Sequence, residues 1–196
     1  MRKGLINVSE ESISVKKQEL MTEGTIWKKI LIFAVPLIIG NLLQQMYSTI
    51  DSIIVGHYVG KSALAAVGSS TSIINLLIAF SQGASVGAGV VISQYMGARD
   101  KKSVHSAVHT AAAVAVLLGL FLTLAGVLMS GQLLVWMQTP DDVINDSTLY
   151  LRVYSAGLVF NVVYNMATGI MNAAGNSKRP LIYLGAASVT NIVLDM

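Results

Sequence analysis

Two carboxylates stand where an apolar chain has little reason to keep one. Asp51 ends a run of 21 residues without formal charge that begins after Lys29, and Asp195 closes the apolar stretch PLIYLGAASVTNIVLDM but for one residue. A carboxylate in a low-dielectric setting takes up a proton, or holds a cation such as Na⁺ with neighbouring oxygens, and can release it when its exposure changes. Neither acid is alone on its face. Gln44, Ser48 and Asp51 recur at i, i+4 and i+7, with Asn41, Gln45 and Ser52 one step aside; Ser188, Asn191 and Asp195 recur at i, i+3 and i+7. A third stripe holds Asn161, Asn165, Thr168 and Asn172 with Tyr164 beside it, and Asn75, Gln82 and Ser85 form a fourth. Such stripes face protein or a water-filled cavity, never lipid. Interhelical hydrogen bonding would also account for the amides, and solvation at the outer interface for Asp51.

Other chemistries find no support. The chain has no cysteine, which excludes disulfides and thiolate metal sites. His105 and His109 are spaced i, i+4 but follow a basic cluster and read as interfacial side chains, and His57 is remote from both. No Ser/His/Asp constellation, phosphate-binding loop or metal-ligand signature appears, so we expect no catalytic residue, no metal site, no cofactor and no enzyme activity. The basic residues are scattered in short clusters, which argues against a nucleic-acid partner.

The elements that must position these residues follow from hydropathy and charge. With 54% hydrophobic residues, 12% charged residues and a mean hydropathy of +0.65, the 196-residue chain reads as an all-α integral membrane protein whose main partner is the bilayer. Residues 1–24 are polar and mixed in charge and read as a cytoplasmic tail, leaving 25–196 as a transmembrane unit. Lys and Arg collect in cytoplasmic loops. Placing the clusters before residue 30, at Arg99, Lys101 and Lys102, and at Lys178 and Arg179 on the inside puts 11 of the 13 basic residues there. Five crossings result, at about 26–56, 63–98, 103–137, 143–172 and from about 180, with the amino terminus cytoplasmic.

Local signals refine this. Pro36 should kink the first crossing. Thr139-Pro140-Asp141-Asp142 reads as a helix cap and first turn, and Ala174-Gly175-Asn176-Ser177 as a stop. Gly83, Gly87 and Gly89 suit close helix approach. The third crossing is nearly all apolar from Ala111 to Met129 and reads as peripheral. The fifth stops 17 residues after Arg179, about 26 Å of helix, and the chain reads as cut short.

The segments MTEGTIWKKILIFAVPLIIGNLLQQMYSTIDSIIVGHYVG, ALAAVGSS, SQGASVGAGVVISQYMGARDKKSV and NAAGNSKRPL, in that order, closely resemble the multidrug and toxic compound extrusion (MATE) family, bacterial type, over about residues 21–196. The resemblance implies twelve helices in two six-helix lobes, a bacterial inner (plasma) membrane location, and efflux of small organic, often cationic, compounds against inward H⁺ or Na⁺. This chain corresponds to the amino-terminal lobe through its fifth helix, with the carboxy-terminal lobe as its missing partner. By resemblance, Asp51 in IDSIIVG and Asn191 with Asp195 in NIVLD form the amino-lobe cation site. Gln44, Ser48, Asn75, Tyr164, Asn165 and Thr168 are the expected substrate-cavity residues. A flippase for lipid-linked sugars, or a non-transporting membrane fragment, are the alternative expectations.

Overall fold

Long uncharged runs satisfy their backbone polar groups inside a bilayer by forming helices. The computed structural model describes residues 25–195, and every regular element among them is helical. Helix α1 (Ile26–Ile54) passes through the buried Pro36 and continues as a π-helical turn, Val55–Val59, that ends at Gly60 with φ 111°. Then follow α2 (Lys61–Gly97), α3 (Lys101–Trp136), α4 (Ile144–Ala156), α5 (Leu158–Ala173) and α6 (Lys178–Asp195). Trp27–Val59, α2 and α3 are each long and apolar enough to cross a membrane. Helices α4 and α5 follow one another along α3 over the residues of the expected fourth crossing, and α6 falls on the expected fifth. The expected tail, 1–24, lies outside the described residues.

The turns rest on local polar chemistry. Asp100 caps α3: its carboxylate accepts the Ser103 hydroxyl at 2.6 Å and the Ser103 backbone N–H at 3.1 Å. Those bonds, the hydroxyl's first, hold the Asp100 carboxyl below the usual range. At the end of α5, Gly175 takes φ 76°, and the Asn176 N–H reaches back to the Met171 carbonyl at 3.0 Å. The expected stop is there.

Four expectations need correction. The fourth crossing is not one helix. It breaks at Gly157, where the Val159 N–H is taken up by the Thr123 hydroxyl of α3 at 3.1 Å. Thr139–Asp142 is not a cap and first turn either, because the Val143 N–H bonds to the Pro140 carbonyl in a turn and α4 begins at Ile144. Of the three α2 glycines expected to allow close approach, Gly89 meets another backbone, at Gly169, while Gly83 and Gly87 face open space. Finally, α3 is not peripheral. It packs on α2, α4 and α5 through a seam that includes Ala111, Ala115, Gly119, Gly126 and Ser130, and keeps its opposite face, with Leu117, Phe121 and Leu128, exposed.

The seam sets the register. Gly119 lies opposite Val159, Gly126 opposite Ser155 and Gly131 opposite Thr148, so α4 and α5 run antiparallel to α3. Helix α2 runs parallel to them, joined by the Ser70 hydroxyl to the Ser147 carbonyl (3.3 Å) and the Ser85 hydroxyl to the Asn165 carbonyl (2.5 Å). The core inside this bundle includes Ile92, Leu134, Leu151, Leu158 and Val162. Helices α1 and α6 form a second layer, packed on each other where Gly40 admits Leu181 and Leu184. That layer meets the bundle mainly at the π-helical turn, beside α2, and where α6 leaves α5.

Candidate functional site

The polar stripes lie on helices of both layers. On α1, Gln44 and Asp51 are half-buried and Ser48 is exposed. The Ser48 hydroxyl donates to the Gln44 carbonyl at 3.0 Å and the Ser52 hydroxyl to the Ser48 carbonyl at 2.9 Å, so this helix satisfies its own hydroxyls. The π-helical turn starts directly after Ile54, and the Asp51 and Ser52 carbonyls both receive the Val55 N–H. Such a turn widens the helix and leaves its backbone less regularly paired, a feature frequent at functional sites.

Topology brings α6 alongside. Helices α1 and α6 pack on each other, and the five alternating crossings implied by the charge clusters would run them the same way. Eleven residues separate Gly40 from Asp51, and the same step from Leu181 and Leu184 reaches Ile192 and Asp195. That direction would set Asp51 level with the last turn of α6, which carries Asn191 and Asp195. Asn191 is half-buried, and its Oδ1 is buried with no hydrogen-bond partner among the described residues. The Asp195 side chain lies outside the described residues.

On α5 the stripe divides. The Asn165 amide donates to the Asn161 carbonyl at 3.0 Å and to the Asn161 Oδ1 at 2.8 Å, so these two amides hold each other. One and two turns on, Thr168 Oγ1 and Asn172 Oδ1 are buried with no hydrogen-bond partner among the described residues. Unpaired buried oxygens are costly, and each calls for an occupant such as water or an ion. Tyr164 is 37% exposed, enough to be reached from a cavity or from lipid. Asn75 is exposed on α2, and Ser85 is buried against Asn165. The structure therefore joins Ser85, Asn161 and Asn165 directly and leaves Asn75 apart from them.

The residue stripes had not singled out Gly169, against which Ser85 packs, the π-helical turn, or the break at Gly157. Gly56 and Gly157 were the available signals for the last two. No cluster of three or more potential metal-ligating His, Asp or Glu side chains occurs among the described residues.

The MatE family model matches residues 36–196. The chain belongs to the MATE family. Among MATE relatives it is 30% identical over 189 residues to the probable multidrug resistance protein YoeA of Bacillus subtilis, covering 96% of this chain and 40% of that protein. It is 26% identical to the probable multidrug resistance protein NorM of Thermotoga maritima, covering 86% and 36%. A MATE transporter crystallised with MaD3S superposes with a TM-score of 0.83 at 29% identity, over 92% of this chain and 40% of that one. A MOP superfamily transporter of Pyrococcus furiosus, whose binding pocket has a reversed polarity suggesting a different function, matches with a TM-score of 0.84 at 29% identity, over 92% and 39%. The chain spans about 40% of the length of these relatives.

Proposed function

We propose that this chain is the amino-terminal part of a cation-coupled antiporter that exports small organic, often cationic, compounds across the bacterial plasma membrane. The packing of α1 on α6, where the Asn191 Oδ1 is buried with no hydrogen-bond partner among the described residues, supports the reading: Asp51 and Asn191 offer oxygens to H⁺ or Na⁺, and Asp195 completes the group. Loading the cation neutralises the acids and alters how α1 and α6 pack on each other and on the bundle. Gln44, Ser48, Asn75, Tyr164, Asn165 and Thr168 are the substrate-contacting residues of the lobe. The unpaired Thr168 and Asn172 oxygens supply acceptors there. Alternating access then comes from exchange between two packings, with the carboxy-terminal lobe closing the other side of the path. By the distribution of Lys and Arg, residues 1–24 and the 97–101 turn face the cytoplasm.

Fold alone does not select the cargo, since the P. furiosus relative differs in the polarity of its pocket. A flippase for lipid-linked sugars calls for a basic cavity. Away from the helix starts, the basic side chain that the described helices carry is Arg152, and it is exposed. The uncharged amide and hydroxyl stripes fit organic cations better. The test is transport by the complete transporter in vesicles with an imposed H⁺ or Na⁺ gradient. Drug movement driven by one of these gradients supports the assignment, and movement indifferent to both refutes it.

A further inference from the structure

A groove of about 560 Å³ runs between α2 and α3, apart from the polar stripes. Small residues, Ala84, Gly87 and Ala88 on α2 and Ala107 on α3, keep it open, and the buried Met166 of α5 lines it. Gly87 has nothing within 4 Å of the position a side chain would take, so the space beside it is empty of protein. From Ala84 to Tyr95 the groove follows eleven residue steps of α2, about 16 Å at ~1.5 Å per residue. That is about half of the ~30 Å hydrocarbon core, the depth of one leaflet.

The groove reaches the helix ends that flank the 97–101 turn. Tyr95 and Ser103 line it there, and the exposed Lys101 and Lys102 stand beside Ser103 at the amino-terminal end of α3. The one acid of this turn, Asp100, has its carboxylate engaged by Ser103. We propose that the groove is a binding site for an anionic phospholipid of the cytoplasmic leaflet. One acyl chain lies along Ala84, Gly87 and Ala88, and the phosphate headgroup is held by Lys101 and Lys102. A membrane-spanning helix would need a groove of twice this depth, whereas an acyl chain needs one leaflet. Basic pockets between helices on the cytoplasmic side select such lipids. The inference is independent of what is transported.

The test is native mass spectrometry of the purified protein taken from bilayers of equal phosphatidylglycerol and phosphatidylcholine. Two lysines near an anionic headgroup give roughly a thirtyfold preference for phosphatidylglycerol. Lys101→Gln with Lys102→Gln should abolish the preference. Ala88→Phe, or Thr110→Phe at an exposed groove position that tolerates bulk, should displace the lipid altogether. Lys178→Gln with Arg179→Gln, an equal loss of charge on another turn, should leave the preference intact. Equal retention of both lipids by the unaltered protein overturns the proposal. So does a preference that survives either the lysine pair or both groove-filling variants, or one that disappears with the Lys178/Arg179 pair.

Discussion

Gly169 is the position where adding one methyl group should do most damage to the lobe. A Cβ there would sit 2.7 Å from the Ser85 carbonyl oxygen and 3.2 Å from its carbon, and would run into the Ser85 hydroxyl. Backbone cannot swing aside as a flexible side chain does, so α2 and α5 must separate. Overpacking of this kind costs about 1–3 kcal/mol. Losing the Ser85 hydroxyl's bond to the Asn165 carbonyl adds about 1 kcal/mol, while alanine's better helix propensity returns about 1 kcal/mol. The net is a loss of about 1–3 kcal/mol. At about 2–4 °C per kcal/mol, Gly169→Ala should unfold roughly 2–12 °C lower in detergent, followed by circular dichroism on heating. Gly83→Ala is the matched control, because nothing lies within 4 Å of that position, and it should be neutral or slightly stabilising. If Gly169→Ala were as stable as the unaltered protein, the close crossing of α2 and α5 would be wrong.

Thr123→Val should destabilise by about 1–3 kcal/mol, because the Val159 N–H at the broken fourth crossing would lose its acceptor. Faster hydrogen exchange at Val159 would report it, and unchanged exchange would refute the role given to Thr123. The Asp100 cap predicts a pH response. Its carboxyl is held below the ordinary value near 4, so its stabilising contribution is present above that value and lost as pH falls through the lowered one. Asp100→Asn should remove this part of the acid response, seen as the pH dependence of α3 amide exchange. An identical acid response in the variant would contradict it.

Much of the fold was legible because hydropathy and charge act over whole crossings. The uncharged run 62–98 reads as one helix rather than two because a second helix would carry Arg99, Lys101 and Lys102 to the other side, and α2 is indeed continuous. What periodicity missed was decided by single contacts. A break at Gly157 becomes tolerable when Thr123 on another helix supplies the lost hydrogen bond, which no local pattern announces. Small residues on α3 looked peripheral by composition, yet Gly119 and Gly126 are what let Val159 and Ser155 approach. Gly89 and Gly87 are two residues apart on α2 and identical in type. One meets the Gly169 backbone and the other a groove, because helical rotation puts them on different faces. The candidate site was legible as stripes, since its acids and amides recur at helical spacing. Which oxygens keep a partner and which do not, as between Asn165 and Asn172, depends on packing across helices.

Exchanging Asp51 for asparagine keeps the size of the side chain and its capacity for hydrogen bonds but removes the charge that a coupling ion must neutralise. Ethidium efflux by the complete transporter carrying Asp51→Asn, measured in cells beside the amount of protein inserted in the membrane, addresses the mechanism directly. Efflux falling to the level of cells without the transporter, at undiminished insertion, is the outcome expected. Undiminished efflux from a correctly inserted variant would mean that Asp51 does not couple an ion to export.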